Sequence, residues 1–148
     1  MVAIVILTLA SGVIGLKMHG AVQKKRFQSD LDRFRARMLV SQKIAVSTEA
    51  DWSVVIRKIG GQWVLASSCD EPNAKKMPLL RLNFTSIHFN QSPADELTFN
   101  FFSSGKVLPE GTFAFSFKSE KAEVLLTDLF KSEEGTKDGP IHPNDKLK

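Results

Sequence analysis

The residues that could carry chemistry are few and widely spaced. Cys69 is the single cysteine, which excludes an intrachain disulfide and a C-x-x-C metal or redox motif. The three histidines stand at positions 19, 88 and 142 without ligand-like spacing. A zinc site would need several carboxylate partners, and no candidate cluster accompanies them. We therefore expect neither a metal site nor a cofactor.

The same residue types give little support to an enzyme. Cys69 and His88 are the one combination that could be imagined as a Cys–His nucleophilic pair. A cysteine in a loop beside a histidine in a strand is far more often incidental. The sequence contains no G-x-S-x-G, G-x-G-x-x-G or Walker motif. We expect no catalytic residues.

The positive charge of the chain is local. The formal net charge is +4, from 20 Lys and Arg against 16 Asp and Glu. Seven of the basic residues and only two of the acidic ones lie between residues 17 and 37. The charge therefore describes one segment, and we expect no nucleic-acid partner.

An uncharged segment opens the chain. Residues 1–16 read MVAIVILTLASGVIGL, and the first charge is Lys17. A bilayer span needs about 20 apolar residues, so this run is slightly short. A signal-peptide core, a truncated transmembrane helix and a buried helix are the three interpretations. Membrane insertion is favoured, because the run has no basic n-region before it and no A-x-A cleavage site after it.

An amphipathic helix follows the apolar run. Apolar residues recur at spacings of four, three and four, which is one stripe of an α-helix. No proline occurs before Pro72, so we expect one nearly continuous helix over residues 2–47, roughly 70 Å long at about 1.5 Å per residue. Lys25, Asp32 and Arg35 mark the opposite face, and Asp30 is placed with the charges on the exposed flank. The stripe that should pack on the sheet consists of Phe27, Leu31, Phe34 and Met38.

The pattern then changes to the period of two that is typical of strands. Two β-prone runs meet at Gly60-Gly61, which predicts a hairpin over residues 52–67. Further strands are predicted in runs over 80–89, 97–101, 113–117 and 123–130. Nine of the eleven phenylalanines lie between residues 84 and 130. Their alternation predicts that they lie on one face of an antiparallel sheet, where they form the core.

These patterns predict an α+β fold in four parts. Residues 1–20 form a hydrophobic membrane or filament-core helix, and residues 21–48 continue it as an amphipathic helix. Residues 49–130 form a small antiparallel β domain, on which the helix packs. Residues 131–148 are polar, with two glycines and two prolines, and are predicted to be a disordered tail.

This organisation resembles a type IV pilin-like protein. VAIVILTLASGVIGL is similar to the apolar stretch after a prepilin cleavage site, and RFQSDLDRFRARMLVSQKIAVST is similar to the following segment of the GspH/FimT branch. That branch comprises minor pseudopilins of type II secretion and their type IV pilus counterparts. The stretch ELTFNFFSSGKVLPEGTFAFSF also resembles it, more weakly. The helical match covers about residues 2–48, and the β match covers about residues 50–130.

The resemblance implies a pilin-like fold and a structural role in a filament that supports protein export across the cell envelope. It implies a single-pass protein of the bacterial inner membrane with its β domain in the periplasm. Its partners would be other pseudopilin subunits, the inner membrane before assembly, and secreted protein cargo. The residues that would form the membrane and filament-core helix are Val2, Ile4, Val5, Ile6, Leu7, Leu9, Val13, Ile14 and Leu16.

The start of the family pattern has no counterpart here. The leader glycine, the methylated phenylalanine and the glutamate at the fifth mature position are absent, and Val2 falls several residues inside the mature helix. We expect a start codon upstream of Met1, although a truncated chain or a protein that is never processed would also explain the pattern. The competing function is a membrane-anchored periplasmic binding module that does not polymerise.

Overall fold

The long helix is the first element of the structure, a computed structural model that describes residues 2–71, 74 and 76–131, with side chains described from His19 onward. Helix α1 spans Val2–Thr48, 47 residues, so the prediction of one continuous N-terminal helix is confirmed. At about 1.5 Å per residue it is roughly 70 Å long. The expectation of disorder beyond Lys131 lies outside the described residues.

Helix α1 ends in a Schellman motif, which needs one residue with positive φ. Glu49 takes that place with a φ of 52°. The amide of Ala50 then donates a hydrogen bond to the carbonyl of Ala45 at 3.2 Å, and the amide of Glu49 donates one to the carbonyl of Val46 at 3.4 Å. These bonds satisfy carbonyls that the last helical turn would otherwise leave free. The chain thereby turns directly into the first strand.

Two antiparallel sheets follow the helix. The first has the order β3-β2-β1-β6-β7, and the second has the order β5-β4-β8-β9. The strands are β1 (Trp52–Ile59), β2 (Gln62–Cys69), β3 (Leu80–Leu82), β4 (Ser86–Phe89), β5 (Ser92–Pro93), β6 (Glu96–Phe101), β7 (Val107–Leu108), β8 (Thr112–Phe117) and β9 (Glu120–Leu125). The architecture is therefore α+β, with one long N-terminal helix and two antiparallel sheets.

The hairpin predicted at Gly60-Gly61 is confirmed. Strands β1 and β2 pair from Trp52 opposite Cys69 to Ile59 opposite Gln62, so that two residues form the turn. Both glycines have positive φ, at 57° and 80°. A two-residue hairpin turn of this kind matches the twist of the strands only when both central residues adopt that region, which glycine does without steric cost.

The prediction that the phenylalanines lie on one sheet is wrong. Phe99 and Phe101 belong to β6 in the first sheet, whereas Phe113 and Phe115 belong to β8 in the second. The rings nevertheless share one core, since the Phe99 and Phe113 centroids lie 5.2 Å apart. Alternation fixes which side of a strand faces inward, but it does not identify the sheet to which the strand belongs.

The run over residues 80–89 is not one strand. Strand β3 ends at Leu82, and β4 begins at Ser86 in the other sheet. The amide of Thr85 donates to the carbonyl of Ser116 at 2.7 Å, which starts the pairing with β8. The segment between β3 and β4 is therefore where the chain crosses from one sheet to the other.

The prediction of a strand over residues 123–130 is correct only for its first part. Strand β9 ends at Leu125, and the chain continues as the short helix α2, Leu126–Lys131. Leu126 and Leu129 are buried three residues apart, which is a helical spacing. A short apolar run such as EVLLTDLF does not distinguish strand from helix by its periodicity.

Candidate interaction surfaces

The apolar stripe of α1 lies in the centre of the core. Phe34 is fully buried, and its ring centroid lies 5.0 Å from that of Phe113 and 4.8 Å from that of Phe115, edge to face in both cases. Such ring pairs contribute about 0.5–1.5 kcal/mol beyond the area they bury. The other stripe residues, Phe27, Leu31 and Met38, are also buried. The second half of α1 is thus built into the β domain.

Asp30 is not on the exposed flank, as the sequence predicted, but is 7% exposed. Its Oδ2 accepts hydrogen bonds from the amide of Asn83 at 3.0 Å and from the Asn83 Nδ2 at 3.4 Å. Its Oδ1 accepts one from the Arg33 Nη1 at 3.3 Å. A buried carboxylate needs such partners, because an uncompensated charge in the interior is costly. Asp30 therefore ties α1 to the segment that crosses between the sheets.

Arg37 is a second charged residue at the border of the core. Burial lowers the pKa of its guanidinium by desolvation. Its Nη1 is buried without a hydrogen-bond partner among the described residues. Unlike Asp30, this residue therefore bears part of the cost of desolvation without compensating hydrogen bonds on that nitrogen.

Residues 19–26, the part of α1 before Phe27 whose side chains the structure describes, make no comparable packing. From His19 to Arg26 every residue is exposed except Gln23, which is half-buried. Lys24, Lys25 and Arg26 follow one another and therefore point in three directions around the helix axis. Residues 19–26 therefore form a solvent-exposed stretch of helix, and basic side chains surround the helix axis at its end.

The residues assigned to a membrane or filament core have a helical backbone, since α1 begins at Val2. Their side chains lie outside the described residues, and so does any test of the packing predicted for Val2, Ile4, Val5, Ile6, Leu7, Leu9, Val13, Ile14 and Leu16. Among the residues that the structure describes with their side chains, no helical stretch has the length and apolar character of a membrane span.

His88 and Cys69 each line a surface cavity of the β domain. One, of about 470 Å³, lies on the outer face of the second sheet and is lined by residues that include His88, Ser116 and Lys121. The other, of about 390 Å³, lies near the end of α1 and is lined by residues that include Trp52 and Cys69. Cys69 and His88 thus belong to different sheets and different cavities, and the structure does not bring them together.

No group of three or more His, Cys, Asp or Glu side chains that could hold a metal ion occurs among residues 19–71, 74 and 76–131.

Sequence reasoning missed Asp30 as a buried anchor. Its one signal was position, since it lies three residues after Phe27 and one before Leu31, next to the apolar stripe.

No protein-family model, curated protein or solved structure matches this chain.

Proposed function

We propose that this chain is a structural subunit of a filament, a minor pseudopilin with a pilin-like fold in a type II secretion or type IV pilus-like apparatus that supports protein export. The observation that carries the proposal is that the two halves of α1 differ in burial and in charge. One face of its second half is buried against the β domain, residues 19–26 before it are almost entirely exposed, and the helical backbone continues from there to Val2 through an uncharged segment.

The two halves suit two different surroundings. An α-helix satisfies its backbone hydrogen bonds internally, so an uncharged helix is stable both in lipid and in the apolar centre of a helical bundle. Ser11, Gly12 and Gly15 have side chains small enough for helices to approach closely. Before assembly this segment would hold the subunit in the bacterial inner membrane. After assembly it would pack against the helices of other pseudopilin subunits.

The unbroken helix also explains how a β domain could be oriented by such packing. Phe27, Phe34 and Met38 fix the second half of α1 in the core, and Asp30 adds a polar anchor. Because the same helix continues to Val2, its direction and that of the β domain are mechanically linked. The β domain would face the periplasm, where it would contact neighbouring subunits or secreted protein cargo.

The test places a charge in the uncharged segment. Ile6→Asp introduces a carboxylate whose transfer to an apolar helix environment costs about 2.5–3.5 kcal/mol. We expect the variant to keep a folded β domain, as judged by protease resistance, and to lose assembly in its own host, as judged by subunit cross-linking. Ile59→Asp is the matched control, because Ile59 is 48% exposed near the turn between β1 and β2.

Two outcomes separate the alternatives. If Ile6→Asp assembles normally, the filament proposal fails. If the native protein is membrane-bound and never cross-links to itself or to a pseudopilin, the non-polymerising binding module is favoured instead. Mass spectrometry of the native N-terminus provides an independent readout, since prepilin processing would leave an N-methylated terminal residue.

A further inference from the structure

Strand β9 is a free edge of the second sheet. The order of that sheet is β5-β4-β8-β9, so β9 pairs with β8 on one side only, and no other described strand pairs with it. An edge strand presents a row of unpaired backbone groups that can accept another strand. Six residues, Glu120–Leu125, form this edge.

The direction of the backbone groups on β9 follows from β8. The carbonyls of Thr112 and Ser116 accept hydrogen bonds from amides on the β4 side, at 3.0 and 2.7 Å. In an antiparallel ladder alternate residues face opposite neighbours, so Phe113, Phe115 and Phe117 direct their backbone groups to β9. Their partners there are Val124, Ala122 and Glu120. The amides and carbonyls of Lys121 and Glu123 therefore point away from the sheet.

These two residues also carry unpaired charges. Lys121 and Glu123 are exposed, and they lie opposite Ser116 and Ala114, neither of which is charged. No ion pair joins either residue to another described side chain. A lysine and a glutamate two positions apart on a free edge are complementary to the same pair on an antiparallel second copy.

We propose that two copies of this chain pair through β9, antiparallel about a two-fold axis at Ala122. In this register Lys121 of each copy lies opposite Glu123 of the other, and the two residues exchange both of their free backbone hydrogen bonds. The second sheets of the two copies then join into one eight-stranded sheet.

The charges select this register from its neighbours. The next register with the same hydrogen-bonding pattern is two residues away, and a shift by two residues in one direction places the two Glu123 carboxylates opposite each other. A shift in the other direction does the same to the two Lys121 ammonium groups. Like charges directly opposite each other destabilise a strand pair, and opposite charges stabilise it. The register centred on Ala122 avoids both conflicts, and its small side chain at the axis lets the strands approach.

The paired residues are Glu120–Val124, and α2 begins only at Leu126. Arg35 of α1 and Asp128 of α2 line the same surface cavity as Glu123, so the second copy would lie beside these two side chains. A contact through one strand is small compared with a stable dimer interface of about 1,200–2,000 Å². We therefore expect weak, reversible association rather than a permanent dimer. The proposal does not depend on the filament function.

The first experiment locates the axis by cross-linking. Cys69→Ser removes the native thiol, and Ala122→Cys then places the only cysteines at the axis, where directly opposed residues have Cα atoms about 4.5 Å apart. That separation allows a disulfide. We expect the full-length variant to form a covalent dimer under mild oxidation. Glu123→Cys and Lys121→Cys, each in the same background, are the matched controls for the two shifted registers and should cross-link at least about tenfold more slowly.

The second experiment tests the charges in the full-length protein with Cys69 intact and under reducing conditions. Lys121→Glu or Glu123→Lys alone turns both symmetric ion pairs into repulsive ones. Each should weaken dimerisation by about tenfold or more in sedimentation velocity, from roughly 1 kcal/mol per reversed pair. The double variant Lys121→Glu/Glu123→Lys restores opposite charges across the axis and should dimerise like the native chain.

The results that overturn the proposal are specific. A native chain that stays monomeric at 1 mM refutes it, as does faster cross-linking through Glu123→Cys or Lys121→Cys than through Ala122→Cys. Equal weakening by the single and double charge variants would also refute it, because the double variant restores opposite charges across the axis and should then have recovered the pairing. The circular dichroism spectrum of every variant must match that of the native chain, so that failure to fold is not counted as failure to pair.

Discussion

Replacement of Phe34 by alanine tests whether the α1 stripe holds the β domain together. Phe34 is fully buried, and its ring meets Phe113 and Phe115 edge to face at 5.0 and 4.8 Å. Truncation of a buried phenylalanine costs about 3–5 kcal/mol, since it removes the buried ring and leaves a cavity. The two lost ring contacts place this site near the middle of that range. We expect Phe34→Ala to lower the free energy of unfolding by about 4 kcal/mol.

The measurement is equilibrium urea unfolding of the full chain, followed by the fluorescence of its two buried tryptophans, Trp52 and Trp63. With a slope of about 2 kcal/mol per molar urea, the midpoint should fall by roughly 2 M at unchanged slope. Phe27→Ala should cost less, because the Phe27 ring meets one phenylalanine ring at 5.9 Å. Val40→Ala is the surface control, since Val40 is 45% exposed on the same helix.

The expected order of losses is therefore Phe34→Ala, then Phe27→Ala, then Val40→Ala, with the last within about 0.5 kcal/mol of the native chain. A loss below about 2 kcal/mol for Phe34→Ala would refute the reasoning. So would a larger loss for Phe27→Ala, because the number and closeness of ring contacts would then not determine the stability.

Three further predictions concern single contacts and use the same unfolding measurement. Asp30→Ala should cost about 1–3 kcal/mol, because it leaves the buried amide of Asn83 without its acceptor, whereas Asp32→Ala, at a side chain 61% exposed, should cost less than 1 kcal/mol. Gly111→Ala should cost about 1–3 kcal/mol, since an added methyl group would overlap the side chains that close over this position. Gly20→Ala should instead stabilise α1 by up to about 1 kcal/mol, because no atom of the described side chains lies within 4 Å of the added methyl group. Equal effects of the two glycine replacements, or of the two aspartate replacements, would contradict these contacts.

Much of the secondary structure was predictable because its signals are local. The stripe from Phe27 to Met38 repeats at the helical period, and the absence of proline lets α1 run without interruption to Thr48. The turn at Gly60-Gly61 was predictable for a similar reason, since the positive φ that such a turn needs is readily available to glycine. In each case the deciding interaction lies within a few residues along the chain.

The candidate surfaces were less predictable. The position of Asp30 among charged neighbours suggested a solvated residue, and only the approach of Asn83, 53 residues later, makes it a buried acceptor. The free edge at β9 was equally hidden, because the sequence predicts a strand there without saying whether one or both of its sides are paired. Both features depend on which distant segments lie next to each other.

The sequence by itself determined the long helix, its apolar stripe, the first hairpin and the inward-facing positions of most strands. The tertiary structure decided that β3 and β4 belong to different sheets, that α2 replaces the end of the last predicted strand, and that Asp30 faces the interior. The physical reason is the range of the interactions. Period, turn conformation and helix propensity act between near neighbours, whereas strand pairing and burial depend on contacts between residues far apart in the chain.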